Sequence, residues 1–151
     1  MQIRIMFKLA FLFGLFFCSA MSVSAQSFYD NTGYKIATKK GNSTYEVTGS
    51  VFVIRNGVMI PSFDGELREE GANFYRVENG RVNFYRFDES LVGYYIPAEQ
   101  RFVRSEGGKE DYVAVLLDGE IFTTDSKPAF KLDEGFEPEI VGMILFHFLG
   151  Y

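Results

Sequence analysis

The chain has 151 residues, of which 17% are aromatic, with one cysteine, one histidine and a formal net charge of −5. The single cysteine, Cys18, and the single histidine, His147, exclude an internal disulfide and any metal site that needs several cysteines or histidines. The length favours one domain, and an acidic charge without a run of basic residues argues against nucleic acid as a partner.

Residues 1–25 have the features of a secretory signal peptide. A short basic start precedes an apolar run over residues 9–17, which is too short to span a bilayer. Small residues then lead to Ala25, after which signal peptidase is expected to cleave, so that Gln26 becomes the new N-terminus. The sequence therefore predicts an exported protein, periplasmic or extracellular, whose mature chain has no transmembrane span.

The mature chain, residues 26–151, is predicted to be a single β-rich domain. It contains 13 basic and 20 acidic side chains, a net charge of −7, and no cysteine, so it must be stable without disulfides. Cys18 offers the alternative of a lipoprotein anchor. That hypothesis is the weaker one, because the large Phe17 stands where a lipobox needs a small residue.

Turn chemistry is the strongest structural signal in the mature chain. Asn-Gly and Asp-Gly pairs favour the type I′ turns of β-hairpins, because both central residues adopt positive φ. Four such pairs occur, each near residues of high strand propensity: Asn56-Gly57, Asp64-Gly65, Asn79-Gly80 and Asp118-Gly119. Short strands separated by frequent turns predict an all-β fold.

An internal repeat supports the same fold class. Residues 73–82 and 83–92 both begin Asn-Phe-Tyr-Arg and match at five of ten positions, and looser versions of the pattern recur along the chain. Each unit is about one hairpin long, and one hairpin cannot bury its own apolar face. We therefore expect repeated antiparallel hairpins to pack around a shared core.

The C-terminal segment, residues 138–150, differs from the rest because it is almost entirely apolar. Pro138 and the acids on either side of it suit the first turn of a helix, and a helix that is apolar on every side must be buried. We therefore expect a buried helix within or against the sheet, with a strand as the open alternative. At about twelve residues, the segment is too short to span a membrane.

These features together resemble the β-flower proteins, small exported bacterial proteins of repeated hairpins. Residues 28–37 look like that family's repeat of an aromatic residue, Asp, two polar residues, Gly and an apolar pair. Residues 41–51 look like a second copy, and residues 140–148 are similar to the family's apolar ending. A weaker resemblance is to tubby-like barrels, which also close around a C-terminal apolar helix. Both resemblances imply a fold, and neither supplies a function.

The candidate binding residues are tyrosines and arginines in and after the repeat: Tyr75, Tyr85, Arg76, Arg86, Tyr94 and Tyr95, with Tyr112, Arg101 and Arg104 extending the set. Neighbouring strand residues point to opposite faces, so Tyr75 and Tyr85 face outward if Phe74 and Phe84 face the core, and Arg76 and Arg86 then share the face of the phenylalanines near a rim. Exposed tyrosines commonly contact sugars or protein partners, since they offer area and a hydroxyl at low entropic cost. The alternative is that these rings pair across strands and only stabilise the sheet.

Catalytic and metal sites have weaker support. The apolar neighbours of His147 predict a buried, neutral histidine rather than a catalytic base. The two Asp-Gly-Glu tripeptides, residues 64–66 and 118–120, coincide with predicted turns, where Asp bonds to the backbone, rather than with the facing carboxylates of a glycosidase. The acidic pairs at residues 88–89 and 133–134 lack the spacing of calcium-binding loops. The sequence thus predicts no metal and no cofactor.

The leading functional hypothesis is a non-enzymatic interaction or structural module that binds a protein or glycan through surface tyrosines. One alternative is a carrier whose hairpins enclose an apolar cavity for a lipid-like ligand, which requires that the C-terminal segment does not fill the interior. A third hypothesis, a small hydrolase, requires an exposed His147 beside a carboxylate.

Overall fold

The structure, a computed structural model, describes residues 25–151, so the predicted signal peptide and the possible anchor at Cys18 lie outside the described residues apart from Ala25. Within this range, thirteen strands precede one α-helix. The strands are Gln26–Asp30 (β1), Lys35–Lys39 (β2), Thr44–Val47 (β3), Ser50–Arg55 (β4), Val58–Phe63 (β5), Glu66–Leu67 (β6), Asn73–Glu78 (β7), Arg81–Tyr85 (β8), Leu91–Ile96 (β9), Arg101–Glu106 (β10), Lys109–Leu117 (β11), Glu120–Thr123 (β12) and Pro128–Leu132 (β13). The helix is Pro138–His147 (α1), and a short 3₁₀ helix, Pro97–Glu99, lies between β9 and β10.

Twelve of the strands form a closed antiparallel barrel. Its order is β4-β3-β2-β1-β13-β12-β11-β10-β9-β8-β7-β5, and the pairing of β4 with β5 closes the ring. The two-residue strand β6 pairs with β5 beside β7, outside this ring. The predictions of an all-β fold and of antiparallel hairpins are therefore confirmed.

The predicted turns lie where the Asn-Gly and Asp-Gly pairs are. All four pairs have positive φ at both residues, and each connects two adjacent strands. In the pair that joins β4 to β5, φ is 50° at Asn56 and 79° at Gly57. Asparagine and glycine tolerate this left-handed backbone better than other residues, which explains why the turn forms there.

The C-terminal segment is a helix, as expected, and it runs through the barrel. Residues 140–146 are all buried in a single hydrophobic cluster that includes residues of every strand except β6. Aromatic contacts tie the helical segment to distant parts of the wall: Phe146 lies 5.3 Å from Phe84 of β8, and Phe148, just after the helix, lies 4.8 Å from Phe52 of β4, measured between ring centroids. The helix therefore fills the barrel interior. We call the end of the barrel where it begins proximal and the end where it finishes distal.

Two glycines allow the helix to approach the wall closely. A Cβ atom on Gly142 of the helix would overlap the Phe84 ring, and one on Gly93 of β9 would lie 2.5 Å from the ring of Phe146. Both sites therefore demand glycine for its lack of a side chain. Within residues 25–151, no helix is long and apolar enough to cross a membrane.

Candidate functional site

The outer surface of β7 to β11 carries a continuous row of directly opposed residues, one from each strand. Strand register pairs each member with the next: Arg76, Asn83, Tyr94, Val103 and Tyr112. Their chain neighbours Val82, Tyr95, Phe102 and others point into the core cluster, so the row itself faces outward. With the adjacent outward residues, it forms what we call the Arg–aromatic face, defined by Phe74, Arg76, Glu78, Arg81, Asn83, Tyr85, Tyr94, Arg101, Val103 and Tyr112.

This register corrects the expected orientation of the repeat. The β7–β8 hairpin pairs Phe74 with Tyr85 and Tyr75 with Phe84, so Phe74 lies outside and Tyr75 inside. The physical reason is that the two copies are ten residues apart but run antiparallel across a two-residue turn. Residues opposite each other share a face, and here an even-numbered residue is always opposite an odd-numbered one. Equivalent residues of the two copies therefore point to opposite faces.

Guanidinium groups lie over the rings of this face. The rings of Phe74 and Tyr85 are stacked, with centroids 5.1 Å apart and planes 18° apart. The guanidinium of Arg76 lies 4.8 Å from the Phe74 centroid and 5.6 Å from that of Tyr85. Contact of an exposed cation with a ring contributes about 0.5–1 kcal/mol. The stack and the cation therefore hold this part of the face in one arrangement.

The same pattern recurs along the face. Arg81 lies 4.3 Å from the ring centroid of Tyr94, and Arg101 lies 5.1 Å from that of Tyr112. Arg101 also pairs with Glu99 at 3.1 Å, whereas Arg81 has no carboxylate within 4.0 Å among the described residues. Arg81 is thus held by a ring and keeps its charge available.

A carboxylate and an amide lie at the floor of the face. One oxygen of Glu78 accepts hydrogen bonds from the Asn83 amide and from the Tyr85 hydroxyl, each at 3.0 Å. These hydrogen bonds lower the pKa of the Glu78 carboxyl. Asn83 is only 7% exposed, and its Oδ1 has no hydrogen-bond partner in residues 25–151. A buried unpaired acceptor is costly, so a donor that reached this oxygen would stabilise it.

Tyr94 lies deep in the same surface. Only 5% of it is exposed, and it is not part of the core cluster around the helix. Burial raises the pKa of the Tyr94 hydroxyl, and the nearby Glu110 carboxylate raises it further. The hydroxyl therefore stays protonated.

Two of the six candidate residues lie inside the barrel, which corrects their expected surface role. Tyr95 packs against Phe102 with ring centroids 4.6 Å apart, and Tyr75 packs 6.5 Å from Phe84. Burial, together with the nearby Glu139, raises the pKa of both hydroxyls. These rings belong to the wall around the helix, where Tyr95 is buried and Tyr75 is half-buried, and they do not lie on the outer face.

Arg86 lies apart from the face, at the distal end. It pairs with Glu106 at 3.2 Å, and Arg104 also contacts this carboxylate. Tyr85, Arg76 and Tyr94 are therefore the candidate residues that the structure brings together.

His147 lies at the end of the helix, largely buried, and its Nε2 has no hydrogen-bond partner among the described residues. Burial lowers its pKa to about 4, and the nearby positive charge of Arg86 adds to this effect. The neutral, buried histidine agrees with the environment expected from its apolar neighbours. It does not have the exposed position beside a carboxylate that the hydrolase hypothesis requires.

The carboxylates considered for catalysis or calcium have structural positions. Residues 64–66 lie at the distal end and residues 118–120 at the proximal end, on opposite sides of the filled interior. Asp88 accepts hydrogen bonds from the backbone and hydroxyl of Ser90 within a turn, and Asp133 accepts one from the backbone of Ser27 at 2.9 Å. Within residues 25–151, no group of three or more His, Cys, Asp or Glu residues is arranged to hold a metal ion.

Grooves in the described part of the chain lie outside the core. One, of about 350 Å³, follows the outer surface of β1, β12 and β13, and one of about 490 Å³ lies at the proximal end beside the loop that leads into the helix. The carrier hypothesis depends on an interior that the C-terminal segment leaves unfilled, and the helix occupies that space.

Comparison with family models, curated proteins and solved structures finds no match for this chain. The resemblances to β-flower proteins and tubby-like barrels therefore stay predictions.

Sequence reasoning missed part of the face: Phe74, Glu78, Arg81 and Asn83. The signal that could have found them is the Asn79-Gly80 turn. A two-residue turn makes Glu78 and Arg81 opposite each other and thereby defines every further pair of the hairpin.

Proposed function

We propose that this protein is an exported, non-enzymatic binding module that recognises its partner through the Arg–aromatic face. The observation that carries the proposal is the row of outward-facing rings with guanidinium groups over them, three arginines in all. Tyr, Phe and Arg are enriched where proteins bind partners, because they combine area with hydrogen bonding. A purely structural role does not require cations over successive rings.

The distribution of charge supports the same face. Residues 73–106, which span β7 to β10, contain five arginines and five carboxylates, whereas the rest of residues 26–151 contains eight basic and fifteen acidic side chains. The strands that carry most of the face are thus neutral on a strongly acidic protein. An anionic partner is therefore repelled less at this face than over the rest of the surface.

The scaffold behind the face is rigid, which favours binding. The inward residues of β8, β9 and β10 pack on the helix, and Phe84 and Phe102 are fully buried. A ligand that binds to side chains already held in place loses little conformational entropy of the protein. The carrier and hydrolase alternatives have less support, because the interior is filled and His147 is buried.

Site-specific photo-crosslinking tests the proposal. A photoreactive phenylalanine analogue in place of Tyr112, which is 37% exposed on the face, is compared with the same analogue in place of Tyr34, which is 67% exposed in the β1–β2 turn. Both changes keep an aromatic ring. We expect irradiation of the producing cells or their medium to give a discrete adduct at position 112 and not at position 34.

A second variant makes the result specific. Adding Arg81→Gln to the position 112 variant should reduce the adduct, because it removes the unpaired guanidinium next to the labelled row. Equal adducts at positions 112 and 34, or no adduct at position 112, would contradict the proposal.

A further inference from the structure

We infer that the partner is a carboxylate-bearing sugar polymer, an inference that rests on the Arg–aromatic face being the binding site. Three features of that face each match one chemical group of such a ligand. They are a guanidinium that has no carboxylate partner among the described residues, a set of outward-facing aromatic rings, and a buried acceptor without a donor.

The guanidinium groups select an anion with a planar, two-oxygen acceptor. Arg81 has no carboxylate within 4.0 Å among the described residues, and Arg76 has one at 3.5 Å, from the exposed Glu89. Arginine binds carboxylates through two parallel hydrogen bonds, and a ligand carboxylate competes easily with an exposed, long ion pair. Repeated arginines at Arg76, Arg81 and Arg101 suit a polymer that repeats its charge.

The rings select a ligand with apolar surface. Phe74 and Tyr85 stack on each other on the outer side of the barrel, and Tyr112, which is 37% exposed, lies at the other end of the row. The face of a pyranose presents several C–H groups in one plane, and such a face can lie against an aromatic ring and bury apolar area. A simple anion such as phosphate has no such surface.

The amide selects a hydrogen-bond donor. Asn83 lies between Arg76 and Tyr94 in the row, its Nδ2 is used by Glu78, and its Oδ1 is unpaired. Phosphate diesters and carboxylates are acceptors only, whereas a sugar hydroxyl can donate to this oxygen. The oxygen is buried next to Arg76, its neighbour in the row, so a ligand reaches it only when the surrounding side chains move aside.

A uronic acid combines all three groups in one residue: a carboxylate, a plane of C–H groups and several hydroxyls. An acidic peptide offers the carboxylate and backbone donors but no repeated flat surface, and a lipid headgroup offers no repeated ring. The structure therefore favours a polyuronate over these anions.

Isothermal titration of the naturally processed protein with tetragalacturonate tests the inference, and its fully methyl-esterified form is the matched control. The two probes share the sugar backbone and differ in charge. We expect tetragalacturonate to bind and the ester to bind at least tenfold more weakly. Arg81→Gln should weaken binding of the acid about tenfold, since it removes one charge-assisted pair, and should leave the ester unaffected.

Arg55→Gln provides the matched control variant, because Arg55 is an exposed arginine at the end of β4 outside the face. Its affinity should equal that of the unchanged protein. Thermal melting of each variant checks that the fold is intact.

The outcomes separate this inference from the proposed function. Equal binding of acid and ester would overturn the charge selection while leaving the face as the site. If Arg55→Gln weakens the binding of tetragalacturonate as much as Arg81→Gln does, the protein attracts anions in general, and the inference is overturned. Absence of binding by either sugar at millimolar concentration, together with a protein adduct at position 112, would replace the sugar by a protein partner.

Discussion

Aromatic residues have different roles on the inner and outer sides of β8. Phe84 points inward and is fully buried against the helix, while its neighbour Tyr85 points outward, stacks on Phe74 and bonds to Glu78. The inner side gains stability by removing hydrocarbon from water. The outer side holds rings in contact with cations and keeps them reachable. Aromatic content by itself therefore does not distinguish a core from a binding surface, and the partner of each ring does.

Removing the helix should abolish the cooperative folding of the barrel. Deletion of residues 140–151 takes away six buried large side chains and several partly buried ones, and each large buried side chain contributes about 1.5–3 kcal/mol. The total is as large as the usual net stability of about 5–15 kcal/mol for a domain. We expect no cooperative transition in urea. A truncated protein with an unchanged unfolding curve would show that the barrel does not depend on the helix.

The neighbours Phe84 and Tyr85 provide the matched pair. Phe84→Ala should lower the free energy of unfolding by about 3–5 kcal/mol, because it opens a cavity against the helix. Tyr85→Ala should lower it by about 1–2 kcal/mol, since it removes one stacked pair and one hydrogen bond at the surface. Urea unfolding of both variants measures the difference. Equal losses would mean that the two sides of the strand contribute alike.

Acidification should lower the free energy of unfolding through His147. Its pKa is lowered to about 4 in the folded protein, below the ordinary 6.5 of an unfolded chain, so the unfolded state binds the proton first. Stability is therefore fully present above pH 6.5 and falls as the pH drops toward 4, by about 1–3 kcal/mol.

Urea unfolding at pH 7.5 and pH 5 checks this effect, with His147→Gln as the control, which should lose most of the difference. The carboxyls of Glu78, Asp88 and Glu106 have lowered pKa values, so they stabilise the fold above their ordinary range and lose that contribution at lower pH than the histidine does. If His147→Gln loses as much free energy of unfolding between pH 7.5 and pH 5 as the unchanged protein, other groups cause the effect.

Of the changes considered, Arg81→Gln should have the smallest effect on stability. Arg81→Gln removes one exposed cation–ring contact, so we expect a loss of about 0.5–1 kcal/mol at most. Thermal unfolding of Arg81→Gln beside Arg55→Gln measures it. A loss above about 2 kcal/mol would place Arg81 in the structural framework of the barrel rather than in a surface available for binding.

The turns and the burial of the C-terminal segment could be predicted from short stretches of the sequence. Asn-Gly and Asp-Gly pairs need only the backbone preferences of two residues, and all four turns formed where they were expected. The buried helix was predictable because a segment that is apolar on every side has no other stable environment in water. The burial of His147 follows from the same neighbours.

The composition of the face was only partly predictable. Tyr85 was expected to face outward and does, but Tyr75 and Tyr95 proved to line the interior, and Arg76, expected on the face opposite Tyr85, lies on the same face as Tyr85. Tyr75 lies inside because the two repeat copies pair antiparallel across a two-residue turn, which gives equivalent residues opposite faces. Separately, bulges leave Val92 of β9 and Val113 of β11 without a partner in the register and shift the alternation along those two strands, and the sequence pattern does not predict them.

The amino-acid sequence alone determined the strands, the turns between them and the burial of the C-terminal segment, because these depend on backbone preference and apolar content over a few residues. Only the tertiary structure decided that β1 pairs with β13, that β4 pairs with β5 to close the ring, and that Arg76, Asn83, Tyr94, Val103 and Tyr112 form one row. Closure and register arise from the competition of many long-range pairings around one helix, and local preferences do not rank those pairings.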